Sequence, residues 1–70
     1  MKVYVLTEYY PYESTTVLGV FQSVKAAKAY ADEECREYTP LTWTTENGNH
    51  YAEYGGLGVE LLIRKWEVGR

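Results

Sequence analysis

Residues 23–40 read SVKAAKAYADEECREYTP, and this stretch decides the fold because it carries the helical pattern of the sequence. Ser23 suits a helix N-cap, since its hydroxyl can accept a hydrogen bond from a free amide of the first turn. Apolar residues then recur at helical spacing, at Val24, Ala27, Tyr30, Ala31, Cys35 and Tyr38. Pro40 disfavours helical geometry in the residue before it, so we expect the helix to end at or before Tyr38.

Strand patterns flank this helix on both sides. Before it, residues 2–9 and 15–22 are rich in β-branched and aromatic side chains, and a turn at residues 11–14 separates them. After it, three further strands are predicted at residues 41–46, 49–54 and 59–68. Gly19 lies inside the second strand, where a glycine indicates a bulge or a close backbone approach.

The dipeptide Asn47-Gly48 predicts a two-residue hairpin between the third and fourth strands, because a type I′ turn needs positive φ at both positions. Such a turn sets the pairing of the flanking residues. It places Glu46 opposite Asn49, Thr44 opposite Tyr51, and Trp43 opposite Ala52.

The element order ββαβββ predicts an α+β two-layer sandwich, formed as a single domain over residues 1–70. The last strand can pair beside the first, which gives a five-stranded antiparallel sheet of order 2-1-5-4-3 with the helix on one face.

One helix cannot cover both faces of such a sheet. We assign Val3, Val5, Leu61 and Ile63 to the face under the helix. The open face then receives an aromatic residue of the third or fourth strand together with Tyr4, Leu6, Leu62 and Trp66. An apolar patch of this kind on a small protein indicates a partner, often a second copy of the chain.

Composition and charge exclude several function classes. The formal net charge is −3, and the seven basic residues are scattered, which argues against direct nucleic-acid binding. No segment approaches the roughly 20 apolar residues of a membrane span. Cys35 is the only cysteine and the N-terminus does not resemble a signal peptide, so we expect a cytoplasmic protein.

The residues that usually carry chemistry are sparse. His50 is the only histidine and is expected to face solvent, and Cys35 is expected to be a buried, inert thiol. The Gly-rich stretch at residues 55–58 lacks the Lys-Ser/Thr of a phosphate loop and precedes a strand. We therefore expect neither catalysis nor a cofactor nor a metal site.

The stretch EYYPYEST at residues 8–15 concentrates tyrosines at a turn. The phenols can form a contact surface, or Tyr9 or Tyr10 can fold back over the end of the sheet as core. The glutamates beside them favour a basic partner surface. With the open sheet face, this gives the candidate partner-binding residues Tyr9, Tyr10, Tyr12, Glu13, Tyr4, Leu62 and Trp66.

A hairpin that ends in Val-x-x-Val-Phe-x-Ser before a helix starting x-x-x-Ala resembles small uncharacterised proteins of bacteria and their phages. The residues that carry this resemblance are Val17, Val20, Phe21, Ser23 and Ala27. It implies the ββαβββ fold and a phage or mobile-element setting, in which small proteins often inhibit bacterial defence, as anti-CRISPR proteins do. With the absence of catalytic motifs, this predicts a non-enzymatic binding protein that blocks or adapts a host protein.

Two other functions remain open from the sequence. The first is a homodimer that sequesters a small molecule or nucleotide, for which Arg64-Lys65 supply the only adjacent basic pair. The second is a structural homodimer.

Overall fold

The computed structural model describes residues 1–11, 13–38, 41–54 and 58–68. In chain order the elements are β1 (Lys2–Tyr9), β2 (Thr15–Phe21), α1 (Val24–Glu34), a 3₁₀ turn (Arg36–Tyr38), β3 (Thr44–Glu46), β4 (Asn49–Tyr54) and β5 (Val59–Glu67). The strands form one antiparallel sheet in the order β2-β1-β5-β4-β3. The helix packs on one face, so the predicted α+β sandwich and its strand order are confirmed.

Helix α1 begins and ends where its sequence predicts. The Ser23 hydroxyl accepts a hydrogen bond of 3.0 Å from the amide of Ala26. The helix ends at Glu34, and the Cys35 amide donates 2.9 Å to the carbonyl of Ala31 before the 3₁₀ turn follows. Pro40, the predicted terminator, lies outside the described residues.

The β3–β4 hairpin has the predicted turn. Asn47 and Gly48 have φ of 54° and 80°, as a type I′ turn requires. The ladder confirms the pairs Glu46–Asn49 and Thr44–Tyr51. β3 begins only at Thr44, however, so the predicted ladder pair of Trp43 with Ala52 does not form. Trp43 instead packs against the core.

A β-bulge interrupts the β1–β2 ladder beside Gly19. Leu6 pairs with Gly19 and Thr7 pairs with Val17, which leaves Leu18 as the extra residue. A Cβ at Gly19 would lie 2.8 Å from the Phe21 ring, so the ring occupies the space that a side chain would need. Of the two alternatives predicted for this glycine, the bulge is confirmed, and the close neighbour is a side-chain ring and not a backbone.

The core lies between α1 and three central strands. Its buried residues are Leu6, Ala27, Ala31, Cys35, Ala52, Leu61 and Ile63. Alanines at the helix positions let the helix backbone approach the sheet closely, and larger side chains from the strands fill the space. Leu61 and Ile63 lie under the helix as predicted.

The face assignment of β1 was wrong. Leu6 pairs directly with Ile63, and directly paired residues point to the same face. Leu6 and Tyr4 therefore lie under the helix, and Tyr4 packs against the core instead of lining the open face. Val3 and Val5 alternate with them and lie on the open face. The physical reason is the register between β1 and β5, which pairs Val3 with Trp66 and Val5 with Arg64 on the side away from the helix.

No helix in the described ranges is both long and apolar enough to cross a membrane.

Candidate functional site

The open face of the sheet carries an apolar patch. We define it by residues of three neighbouring strands: Val3, Val5, Val17, Val20, Leu62 and Trp66. Val17, Val20 and Trp66 are 60%, 59% and 50% exposed. These side chains point away from the helix, so nothing in the described fold covers them.

The bulge accounts for the two most exposed members of the patch. In a regular strand, residues three apart point to opposite faces. Because Leu18 is the extra residue, Val20 pairs with Val5 and Val17 pairs with Thr7, which puts both valines on the open face. Leu18 and Phe21 turn toward the core instead.

Trp66 is supported from one side. The Arg64 guanidinium carbon lies 5.4 Å from the centre of its ring, within cation–π range. Trp66 pairs with Val3 on the neighbouring strand. The indole is thus a half-exposed aromatic group that contacts Arg64 on one side.

A shallow acidic groove lies on the same face beside the patch, with a volume of about 550 Å³. Its lining residues are Thr42, Thr44, Glu46, Tyr51, Ala52, Glu53 and Glu60. Glu53 and Glu60 are direct cross-strand partners, so two like charges face each other. Such a pair is destabilising in an antiparallel sheet.

On the helix side, one end of the sheet holds a hydrogen-bonded cluster around Tyr54. Its hydroxyl donates a hydrogen bond to the Glu8 carboxylate, and the side chains of Tyr10 and Cys35 lie beside it. The ring of Tyr38 packs against it with centroids 4.8 Å apart. Burial, followed by the hydrogen bond to Glu8, raises the pKa of Tyr54 far above its ordinary range.

The thiol of Cys35 is buried in this cluster, as expected. Burial raises its pKa, so the thiol keeps its proton at neutral pH. A nucleophilic cysteine needs the opposite shift.

His50 differs in part from its expectation. It pairs with Ile63, which places it on the helix side, where it is partly buried although its contact with Thr45 is exposed. Its Nδ1 lies 2.9 Å from the Thr45 hydroxyl, and burial together with the charge of Lys28 lowers its pKa. The histidine and the cysteine are thus both on the face opposite the patch and the groove.

The tyrosine-rich turn divides its residues between the two faces. Tyr9 pairs with Glu60 and lies half-exposed on the open face, next to the groove. Tyr10 turns toward Tyr54 and Glu8 but stays 37% exposed, so it does not join the core as the alternative of folding back expected. Glu13 is exposed, and its amide donates 3.1 Å to the carbonyl of Tyr10. Tyr12 lies outside the described residues.

The remaining predicted contact residues are placed as follows. Leu62 and Trp66 lie on the open face as predicted, and Tyr51 is the expected aromatic residue from the fourth strand. Tyr4 is not part of this face. In the part of the chain that the structure describes, no three His, Cys, Asp or Glu residues are arranged to hold a metal ion.

Sequence reasoning missed Val17, Val20 and the groove carboxylates as members of one surface. Gly19 signalled the bulge, and following its effect on side-chain direction would have found the two valines. Nothing local in the sequence brings Glu46, Glu53 and Glu60 together, because they come from three strands.

A family described as a domain of unknown function (DUF7336) matches residues 1–46, which cover β1 through β3. The chain belongs to this family. β4 and β5 follow the matched segment, and with them Glu53, Glu60 and Trp66. Among curated proteins and among solved structures, no match to this sequence was found.

Proposed function

We propose that this DUF7336 domain is a non-enzymatic binding protein that acts by covering part of a partner protein with its open sheet face. The observation that carries the proposal is the apolar patch, in which Val17, Val20 and Trp66 are at least half exposed. A contiguous apolar surface on a small protein is costly to keep in water and is typical of an interaction site.

The form of the surface favours a macromolecule. The patch extends across three strands, and its anchors stand on rigid strands instead of lining a cavity. The groove beside it is shallow and acidic, so it repels the phosphates of a nucleotide. For this reason we do not favour nucleotide sequestration.

The mechanism we propose is steric. Trp66, held against Arg64, inserts into the partner, and the flanking valines exclude water around it. Tyr9 adds a phenol at the border of the patch. The histidine and the cysteine of the described chain lie on the other face, so no catalytic role is part of the proposal.

The resemblance to small phage and bacterial proteins guides the choice of partners to screen. Proteins of bacterial defence systems, including CRISPR effectors, are the first candidates under this proposal.

Affinity capture from a bacterial lysate tests the patch with two variants of the chain. The patch variant Val17→Thr/Val20→Thr/Trp66→Thr removes apolar surface and keeps β-branched residues in the strands. The control variant Ala26→Ser/Ala29→Ser changes exposed positions of α1. We expect the wild type and the control to retain the same stoichiometric protein, and the patch variant to lose it, with circular dichroism unchanged.

Two outcomes would count against this function. If the patch variant captured as much partner protein as the wild type, the proposal that the open face binds the partner would be wrong. A wild-type dimer in sedimentation that becomes a monomer in the patch variant, without any captured protein, would instead assign the face to self-association.

A further inference from the structure

The open face has an uneven charge distribution that restricts what can cover it. Its apolar patch lies over β2, β1 and the end of β5, and the groove with Glu46, Glu53 and Glu60 lies over β3, β4 and the start of β5. The two surfaces are continuous, because Leu62 of the patch pairs directly with Tyr51 of the groove. One occupant that covers the face therefore meets both.

The groove carboxylates repel one another in the free protein. Glu53 and Glu60 are opposite each other, and no described Lys or Arg forms an ion pair with them or with Glu46. A cation placed between opposed carboxylates removes this repulsion and gains two attractive interactions in its place. Tyr51 supplies an aromatic surface for the methylene chain of a lysine or arginine.

We propose that the partner segment is basic as well as apolar: it places a lysine or arginine side chain between Glu53 and Glu60 and apolar side chains on the patch. This inference rests on the proposed function and adds the chemistry of the partner. A second copy of the chain fits less well. Among the described residues of the open face it offers a single cation, Arg64, against three carboxylates.

Peptide titrations followed by NMR test this chemistry without a known partner. The probes are acetyl-Lys-Leu-Lys-Leu-amide and its acidic counterpart, acetyl-Glu-Leu-Glu-Leu-amide. We expect the basic peptide to shift the amide signals of Tyr51, Glu53 and Glu60, and the acidic peptide to leave them unchanged. The shifts should weaken at high salt, because Glu53 is exposed and Glu60 is partly exposed, so dissolved ions screen both charges.

A charge-matched pair of variants locates the effect. Glu53→Gln/Glu60→Gln neutralises the groove, and Asp32→Asn/Glu34→Gln removes the same charge from the exposed side of α1. We expect the groove variant to bind the basic peptide about five- to tenfold more weakly than the wild type. The helix variant should bind it as the wild type does.

The outcomes separate this inference from the function on which it rests. The proposal of a basic partner segment would be overturned if the groove variant bound the basic peptide as tightly as the wild type does. Equal signal shifts with both peptides would overturn it as well. If the patch variant still loses its captured protein in that case, the proposed function stands. If the patch variant keeps its captured protein, the proposed function is the part that fails.

Discussion

The two faces of the sheet carry the same kinds of apolar residues but differ in solvent exposure. Under α1, Leu6, Leu61 and Ile63 are fully buried against small helix residues. On the other face, valines, a leucine and a tryptophan of the same strands stay partly or largely in water. Apolar character alone therefore does not identify the core of this protein. The position of α1 identifies the core, because α1 covers only one face of the sheet.

Neighbouring leucines of β5 offer the largest contrast between the faces. Leu61 is fully buried, whereas Leu62 lies half-buried on the open face. We expect Leu61→Ala to lower the free energy of unfolding by about 2–5 kcal/mol, since it leaves a cavity in the core. Leu62→Ala should cost about 1 kcal/mol. Urea denaturation measures both, and equal losses would mean that the two faces are equally packed.

The second-largest effect on the free energy of unfolding is expected at the β2 bulge, which distributes side chains between the two faces. Gly19→Ala puts a Cβ against the Phe21 ring, whose centroid lies 5.4 Å from that of Tyr30. We expect a loss of about 1–3 kcal/mol from the displaced ring. In a Phe21→Leu background the same change should cost less, and a double-mutant cycle by urea denaturation tests this. Additive losses would show that the ring is not what the new methyl group meets.

The helix-side cluster around Tyr54 predicts that stability declines at alkaline pH. The folded chain raises the pKa of Cys35 and Tyr54 above their ordinary values of 9.0 and 10.0. Because the folded state then binds these protons more tightly than the unfolded state, stability is complete below about pH 9 and falls as pH rises beyond it. Thermal unfolding between pH 8 and pH 10.5 should show this decline.

Two tyrosine-to-phenylalanine variants of β4 test whether the alkaline loss of stability comes from the helix side of the sheet. Tyr54→Phe should lower stability at neutral pH by about 1–2 kcal/mol, since the hydrogen bond to Glu8 is lost, and should make the alkaline decline shallower. Tyr51→Phe, on the open face of the same strand, should keep the full decline. An unchanged alkaline decline in Tyr54→Phe would contradict the role given to this hydroxyl.

The smallest effect is expected on the open face, and it has the opposite sign. Glu53→Gln removes one of two like charges that face each other, so we expect it to stabilise the free protein by a few tenths of a kcal/mol. Thermal unfolding at low salt is the measurement. A loss of stability would show that Glu53 already has a favourable partner within the chain.

The fold could be predicted because its signals are local. The Ser23 cap, the helical spacing and the Asn47-Gly48 turn each act within a few residues, and together they leave few possible topologies. The register of β1 against β5 is not local, since about 50 residues separate the two strands. Both sides of β1 are apolar, so its alternation could not reveal which side is buried, and a slip of one residue exchanges the faces.

The candidate site was predicted only in part for a related reason. Leu62 and Trp66 were assigned correctly because Leu61 and Ile63 were assigned to the core of the same strand. Val17 and Val20 depend on an extra residue in the ladder. The acidic groove depends on three strands meeting in space, which no stretch of sequence contains.

The central position of β5 also sets the order of events during synthesis. β1 and β5 are neighbours in the sheet, although β1 leaves the ribosome before β5. Translation of the roughly 50 residues between them takes about 3–10 seconds at about 5–20 residues per second. During that time Leu6 has no partner strand on the β5 side. Until β5 pairs with β1, the nascent hairpin therefore exposes apolar surface that later joins the core.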